Sequence, residues 1–290
     1  DSATPSSRIA SASVARAEYM HSVARALDYI AAGDIYQVNL AQRFEVDWEL
    51  SPQLLYCRLR EQSPASYGAF IGPDLVDGKR AICSISPELF LQVRGQEIVT
   101  RPIKGTRPRG ATPQQDQIHR SELELSQKER AELNMIIDLE RNDLGRLCEY
   151  GSVRVESSGS IEELPTLFHR VATVKGRLRP ESSFSKVLEA TFPGGSITGA
   201  PKIRAMEIID ELEPCARGPY CGAIGWLGID GDLDLSIAIR TALYDGASRK
   251  AYYHAGSGIV ADSNPQQEYE ETLHKAAAFF RATNSTLHPR

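Results

Sequence analysis

Apolar residues recur along the chain in two rhythms, one of period 3.6 and one of period two. From Val14 to Ala32 they fall at Val14, Tyr19, Val23, Leu27 and Ile30. That spacing predicts an amphipathic helix, with Gly33 as its stop. Ile35–Phe44 alternates and predicts a strand. Ser51–Gln62 predicts a short helix with Pro52 in its first turn. Tyr67–Ile71, Arg80–Ile85, Leu89–Val93 and Glu97–Thr100 predict short strands, with turn signals at Asp77-Gly78 and Arg94-Gly95.

The second half begins with a predicted long helix, Ser126–Leu147. Strands follow at Val153–Glu156 and Leu167–Val174, then helices at Phe184–Thr191 and Pro201–Leu212. Tyr220–Ile229, Leu233–Tyr244 and Ala251–Ala261 are strands at hairpin spacing, with Asp230-Gly231 and Asp245-Gly246 between them. A last helix covers Pro265–Thr283. Hairpin-spaced strands argue against a parallel α/β core. The fold class expected is α+β: one domain over residues 14–283, with large, mostly antiparallel sheets and helices packed outside. The Ser- and Ala-rich residues 1–13 read as a loose lead-in and 284–290 as a tail.

Composition narrows the function classes. A net charge of −5 argues against a general nucleic-acid binder. No apolar run approaches the roughly 20 residues of a membrane span, and no signal-peptide pattern opens the chain, so a cytoplasmic protein is expected. The first residue is Asp1, which reads as a piece of a longer chain. The cysteines at 57, 83, 148, 215 and 221 are odd in number and form no C-x-x-C pair. Reduced thiols are therefore expected rather than a disulfide framework or a zinc site.

Several stretches can carry chemistry. In Arg101-Pro-Ile-Lys-Gly-Thr-Arg-Pro-Arg109 a lysine lies among three arginines. Converging cations and desolvation favour the neutral, nucleophilic amine. The same segment also fits a solvated basic loop that holds an anion. Glu129 and Glu132 share a helix face, and so do Glu268 and Glu271. Two such helices facing each other would gather four carboxylates, a hard-oxygen set suited to Mg²⁺. Equally, Ser126 and Glu129 fit a capping box, and Glu271 can pair with Lys275.

Pro193-Gly-Gly-Ser-Ile-Thr-Gly-Ala-Pro-Lys202 runs from a glycine-rich turn into a helix. Such a start can offer backbone N–H groups to an anion, or can be a plain helix start. His254-Ala-Gly-Ser-Gly258 allows a close backbone approach to a ligand, or a tight bend. Arg240 lies in an otherwise apolar strand, where it needs a partner or an anionic ligand. The residues alone support an enzyme for a small anionic substrate, with Mg²⁺ as a candidate cofactor.

Taken together, the segments resemble the chorismate-utilising enzymes, which include anthranilate synthase component I, aminodeoxychorismate synthase component I, and the isochorismate and salicylate synthases. The resemblance is carried by Gly33-Asp-Ile-Tyr-Gln-Val-Asn-Leu-Ala-Gln-Arg-Phe44, Ser86-Pro-Glu-Leu89, Pro102-Ile-Lys-Gly-Thr-Arg-Pro-Arg109 and Asp138-Leu-Glu-Arg-Asn-Asp143. It continues through Gly195-Ser-Ile-Thr-Gly-Ala-Pro-Lys202, Arg217-Gly-Pro-Tyr-Cys-Gly222, Ile237-Ala-Ile-Arg240, Ala255-Gly-Ser-Gly258 and Asp262-Ser-Asn-Pro-Gln-Gln-Glu268. It runs from about residue 14 to the last helix. At the P-I-x-G-T segment anthranilate synthases resemble P-I-A-G-T, whereas aminodeoxychorismate synthases that use a covalent lysine resemble P-I-K-G-T. Here the position is Lys104.

The resemblance implies two orthogonal antiparallel sheets with the active site between them. It implies that Glu132 and Glu271 bind Mg²⁺, supported through water by Glu129 and Glu268. Arg240, Tyr220 and the backbone of Gly258 would hold the enolpyruvyl carboxylate of chorismate. Ser196 would lie near the substrate, and Lys202 closes the same substrate-binding segment. His169 matches a histidine beside the ring, Glu88 the acid for the leaving C4 hydroxyl, and Lys104 the nucleophile. Ammonia would come from a glutamine amidotransferase subunit. A further N-terminal region of the family would lie outside this sequence, and Ser63-Pro-Ala-Ser-Tyr67 resembles half of a tryptophan pocket. Anthranilate synthesis, or ligand binding without turnover, are the alternatives.

Overall fold

The protein is described from a computed structural model, for residues 7–164 and 167–288. Residues 1–6 of the lead-in and 289–290 of the tail lie outside the described residues. The first elements are β1 (Arg8–Ala12), α1 (Arg16–Ala31), β2 (Gln37–Asp47), α2 (Pro52–Gln62), β3 (Tyr67–Ile71), α3 (Pro73–Val76) and β4 (Arg80–Ser86). Next come β5 (Leu89–Arg94), β6 (Glu97–Arg101), β7 (Ile103–Pro108), α4 (Pro113–Leu125), α5 (Gln127–Gly145), β8 (Arg154–Glu163), β9 (Leu167–Arg177) and α6 (Phe184–Thr191). The chain ends with β10 (Gly199–Ala200), α7 (Lys202–Leu212), β11 (Ala223–Leu227), β12 (Leu233–Ile237), β13 (Thr241–Asp245), β14 (Lys250–Ile259), α8 (Pro265–Thr283) and β15 (Ser285–Leu287).

The fold class is α+β, as the pattern predicts, but the expected single domain divides into two compact units. Each gathers around its own sheet. Unit one takes the described residues of Asp1–Pro87, Ile197–Ile224 and Ile237–Arg290, and unit two those of Glu88–Ser196 and Gly225–Ser236. The sheet of unit one has the order β15-β1-β2-β14-β13-β4-β3, with β10 also on β2. Its spine is β2 against β14, antiparallel from Lys250↔Asp47 to Ile259↔Val38. The sheet of unit two runs β11-β12-β5-β6-β9-β7, with β8 on β9.

Each helix follows from its stripe and its caps. In α1 the buried residues are Tyr19, Val23 and Ala26, and Glu18 accepts from the Ala15 N–H at 2.9 Å, which satisfies one open donor of the first turn. In α8, Asn264 caps the start by accepting from the Gln266 and Gln267 N–H groups. Its end is Asn284 at φ 50, the left-handed position that releases a helix. Tyr269, Ala276 and Phe279 on α8 pack into two apolar clusters with Val38, Leu40, Phe44 and Tyr253 of the sheet.

Four local expectations are corrected. Within the lead-in, Arg8–Ala12 is strand β1, because β2 and β15 pair with it on either side. Within the tail, Ser285–Leu287 is strand β15. The segment Ile103–Pro108 is a strand and Pro113–Leu125 a helix, where the pattern gave neither. The predicted strand Leu233–Tyr244 breaks after Ile237 and resumes at Thr241, and Arg240 between them has φ 51.

Candidate active site

In unit two, Lys104 lies on a bulge. Strand β7 pairs with β9 at Ile103↔Val171 and again at Thr106↔His169, so β7 spends one residue more than β9 between these pairs. Gly105 takes φ +90 there. A side chain at 105 would meet Leu123 Cδ1 at 2.7 Å and the Glu129 carboxyl at 2.8 Å, so glycine lets the carboxylate settle on the backbone beside Lys104. Thr106 and His169 face each other, with Thr106 Oγ1 2.9 Å from His169 Nδ1. His169 is buried, and this contact fixes its ring orientation.

The three arginines that flank Lys104 in sequence each have an acidic partner. Arg107 Nη1 donates to Glu129 Oε1 at 2.8 Å. Arg109 donates through Nε and Nη2 to the two oxygens of Asp116, holding that carboxyl at about 2. Arg101 pairs with Glu162. Carboxylates 7, 22 and 61 positions away answer the charges of Arg109, Arg107 and Arg101 in turn, so these three arginines are salt-bridged.

The carboxylates fall into two pairs, one in each unit. On α5, Ser126 caps the helix through the Glu129 N–H at 3.3 Å. Glu129 Oε2 is buried with no hydrogen-bond partner, an acceptor that needs a donor or a cation. Glu132 is half-buried, with Lys128 Nζ 4.0 Å away. On α8, Glu268 is 2% exposed and accepts from Ser263 Oγ at 2.6 Å, whereas Glu271 pairs with Lys275 at 2.7 Å. Ser126 thus caps the helix and Glu271 forms an i,i+4 ion pair, the two structural roles that the sequence also allowed. Glu88, at the start of β5, is buried. Ser196 is buried too, and its hydroxyl has no hydrogen-bond partner.

In unit one, Asn39 stands opposite Gly258 in the β2–β14 ladder, and its side-chain Nδ2 is buried with no hydrogen-bond partner. The Tyr220 ring stacks on His254, with centroids 5.2 Å apart and planes 12° from parallel. Burial drives the Tyr220 phenol well above its usual range. Burial, then the charges of Arg43 and Arg217, push the His254 imidazole down to about 3. It is therefore neutral, and its Nε2 is buried with no hydrogen-bond partner.

Among the described residues Arg240 has no carboxylate partner, and it is half-buried in a left-handed backbone. A guanidinium in that state suits an anionic ligand. The glycine-rich segment is less open than expected. A side chain at Gly199 would stand 2.2 Å from the Gln37 carbonyl, and one at Gly195 2.6 Å from Leu139. Gly199 and Ala200 form β10 on β2, so these glycines serve close packing, and Lys202 opens α7 behind them. The sequence reading missed Thr106, Asn39, Arg217 and Glu213. Only the Glu213-to-Arg217 spacing of four was visible as a signal.

Comparisons with known proteins give the chain's family and fold. A family model described as chorismate binding enzyme matches residues 1–281. The chain is 47% identical over 265 residues to aminodeoxychorismate synthase component 1 of Klebsiella aerogenes, covering 91% of this chain and 57% of that protein. It is 43% identical over 274 residues to anthranilate synthase component 1 of Arthrobacter globiformis, covering 93% and 51%. Among solved structures, anthranilate synthase component I from Streptococcus pneumoniae superposes with a TM-score of 0.84 at 38% identity, over 96% of this chain and 60% of that one. The chain thus spans a little over half the length of the curated relatives it matches. Among the described residues no helix is long and apolar enough to cross a membrane.

Proposed function

Because the chain belongs to the chorismate-binding enzymes, we propose that it is the catalytic part of an aminodeoxychorismate synthase. Its reaction would be amination of chorismate with ammonia to 4-amino-4-deoxychorismate, for 4-aminobenzoate and folate synthesis in the cytoplasm. The observation that carries this reading is Lys104 on the β7 bulge, two residues from the Thr106–His169 contact. Lys104 supplies the amine of the P-I-K-G-T segment, and Thr106, its other candidate nucleophile, is engaged with His169.

The chemistry would run in two displacements. The Lys104 amine forms a bond to C2 of chorismate, both double bonds of the ring diene shift one position towards C4, and the C4 hydroxyl leaves as water with a proton from Glu88. Ammonia then bonds to C4 and gives a proton back to Glu88, both double bonds return to their places, and the C2–nitrogen bond breaks to free the lysine. The sum is chorismate plus ammonia giving the amine plus water. Splitting a hard displacement into two is the advantage of a covalent intermediate. His169, oriented by Thr106, would line the ring. Arg240, Tyr220 and the backbone of Gly258 would hold the enolpyruvyl carboxylate, with Ser196 and Lys202 as further substrate contacts. A glutamine amidotransferase subunit would supply the ammonia.

Mg²⁺ is the proposed cofactor, with Glu132 and Glu271 as ligands and Glu129 and Glu268 supporting them. What supports it is the donor type: all four are carboxylates, the hard oxygens that Mg²⁺ takes, and the Glu129 Oε2 is a buried acceptor without a hydrogen-bond partner, although among the described residues no three metal-ligating side chains stand together. When bound, the ion would neutralise and orient a substrate carboxylate. The relatives named anthranilate synthase supply the second reading, and the product decides. Incubated with chorismate, ammonium and Mg²⁺, the chain should form an aminated compound that keeps the enolpyruvyl group, and a chelator should stop it. Mass spectrometry showing anthranilate with released pyruvate would favour the second reading. Absence of both products would leave ligand binding without turnover.

A further inference from the structure

Arg217 uses its whole guanidinium. Nε donates to Glu213 Oε2 at 2.9 Å, and Nη2 donates to Glu213 Oε1 at 2.6 Å and to the Asn39 carbonyl at 2.7 Å. Nη1 donates to the Ile197 carbonyl at 2.9 Å and to Cys221 Sγ at 3.4 Å. These are the five N–H donors that an arginine has. Burial pulls the guanidinium's pKa down, but the bonds with Glu213 outweigh it, so the charge is firmly kept. Glu213 is 6% exposed on its side chain and also accepts from the Ala41 N–H at 2.8 Å. One ion pair therefore ties the Arg217–Cys221 turn to β2 at Asn39 and Ala41, and to Ile197. The Arg217 guanidinium also lies 5.6 Å from the Tyr220 ring centroid, and Tyr220 stacks on neutral His254.

A buried charge pair is a weak device for stability alone, since well-packed apolar residues of the same volume serve as well or better. What this pair does that apolar residues cannot is fix a polar tip in place. We propose that Arg217, held by Glu213 and lying against the Tyr220 ring, is a positioning residue: it sets Tyr220 for a carboxylate of the substrate. The proposal rests on the reading that Tyr220 touches chorismate. Arg217 touches no reacting atom in this account. It acts through the tyrosine.

Chorismate binding, titrated by calorimetry at saturating Mg²⁺, tests it with Arg217→Lys, Tyr220→Phe and the double variant. Lysine keeps the charge but has three donors, so it cannot hold all five acceptors. Tyr220→Phe should weaken binding by about tenfold, the size of one lost hydrogen bond to a charged group. Arg217→Lys should weaken it comparably, and the double variant no more than Tyr220→Phe alone. Glu213→Gln should act like Arg217→Lys, and it stands in if the lysine variant does not fold. A merely structural role would leave the effects of Arg217→Lys and Tyr220→Phe additive, which overturns the proposal. So does unchanged binding in Arg217→Lys while Tyr220→Phe is impaired. Unchanged binding in Tyr220→Phe overturns the role of Tyr220 in the function reading, and the positioning proposal with it.

Discussion

At the scale of single residues, His254 shows what burial does to a titrating group. Its folded pKa lies near 3, against about 6.5 for a free imidazole, because burial and two nearby arginines oppose the cation. The unfolded chain therefore binds the proton first as pH falls. The neutral histidine's contribution is complete above about pH 6.5 and is lost progressively from there towards the folded value near 3. At pH 5 the loss from this one group is about 2 kcal/mol relative to pH 8. The test is urea unfolding at both pH values, for the parent and for His254→Gln. The variant should show a smaller drop between pH 8 and pH 5, and an equal drop in both proteins would contradict a neutral, buried imidazole. Much of this setting was illegible in the sequence. Arg43 stands opposite His254 only because β2 and β14 pair in that register, and Glu129 reaches Arg107 across 22 positions of chain. Charge proximity read along the chain gave three arginines around Lys104, whereas the fold gives each arginine an acid.

Among the elements, period decided what could be read. Tyr67–Ile71, Phe184–Thr191 and Pro265–Thr283 have the predicted limits, because each shows one clean rhythm between clear punctuation. Strand β7 hid behind a proline, a glycine and two charges, and it exists because β9 pairs with it. Helix α4 hid behind a polar run, although Thr112 before Pro113 is a cap signal that its structure uses. The break at residues 238–240 was invisible since its apolar neighbours run straight through. The β7 bulge also makes a prediction. Gly105→Ala places a methyl group against Leu123 and Glu129 at φ +90. It should cost at least about 2 kcal/mol, the combined size of backbone strain and overpacking. Denaturant midpoints measure it, and a midpoint equal to the parent's would mean that the bulge has no such constraint.

For the whole molecule, hydrophobic patterning predicts one α+β domain, and the described residues form two compact units, each with its own sheet. Hydrophobic periodicity reports which face of an element is covered, but not which neighbour covers it. The family was legible because its segments are dense in glycine, proline and charge, the residue types that fix backbone geometry and ligand contacts. The central claim is that Lys104 becomes covalently bound to the ring of chorismate. Intact-protein mass spectrometry after incubation with chorismate and Mg²⁺, with ammonia withheld and the reaction quenched in acid, tests it most directly. The account predicts a mass gain of one chorismate less one water, located on the peptide that holds Lys104 and absent in Lys104→Ala. An unmodified Lys104 peptide in a chain that still aminates chorismate when ammonia is restored would contradict it.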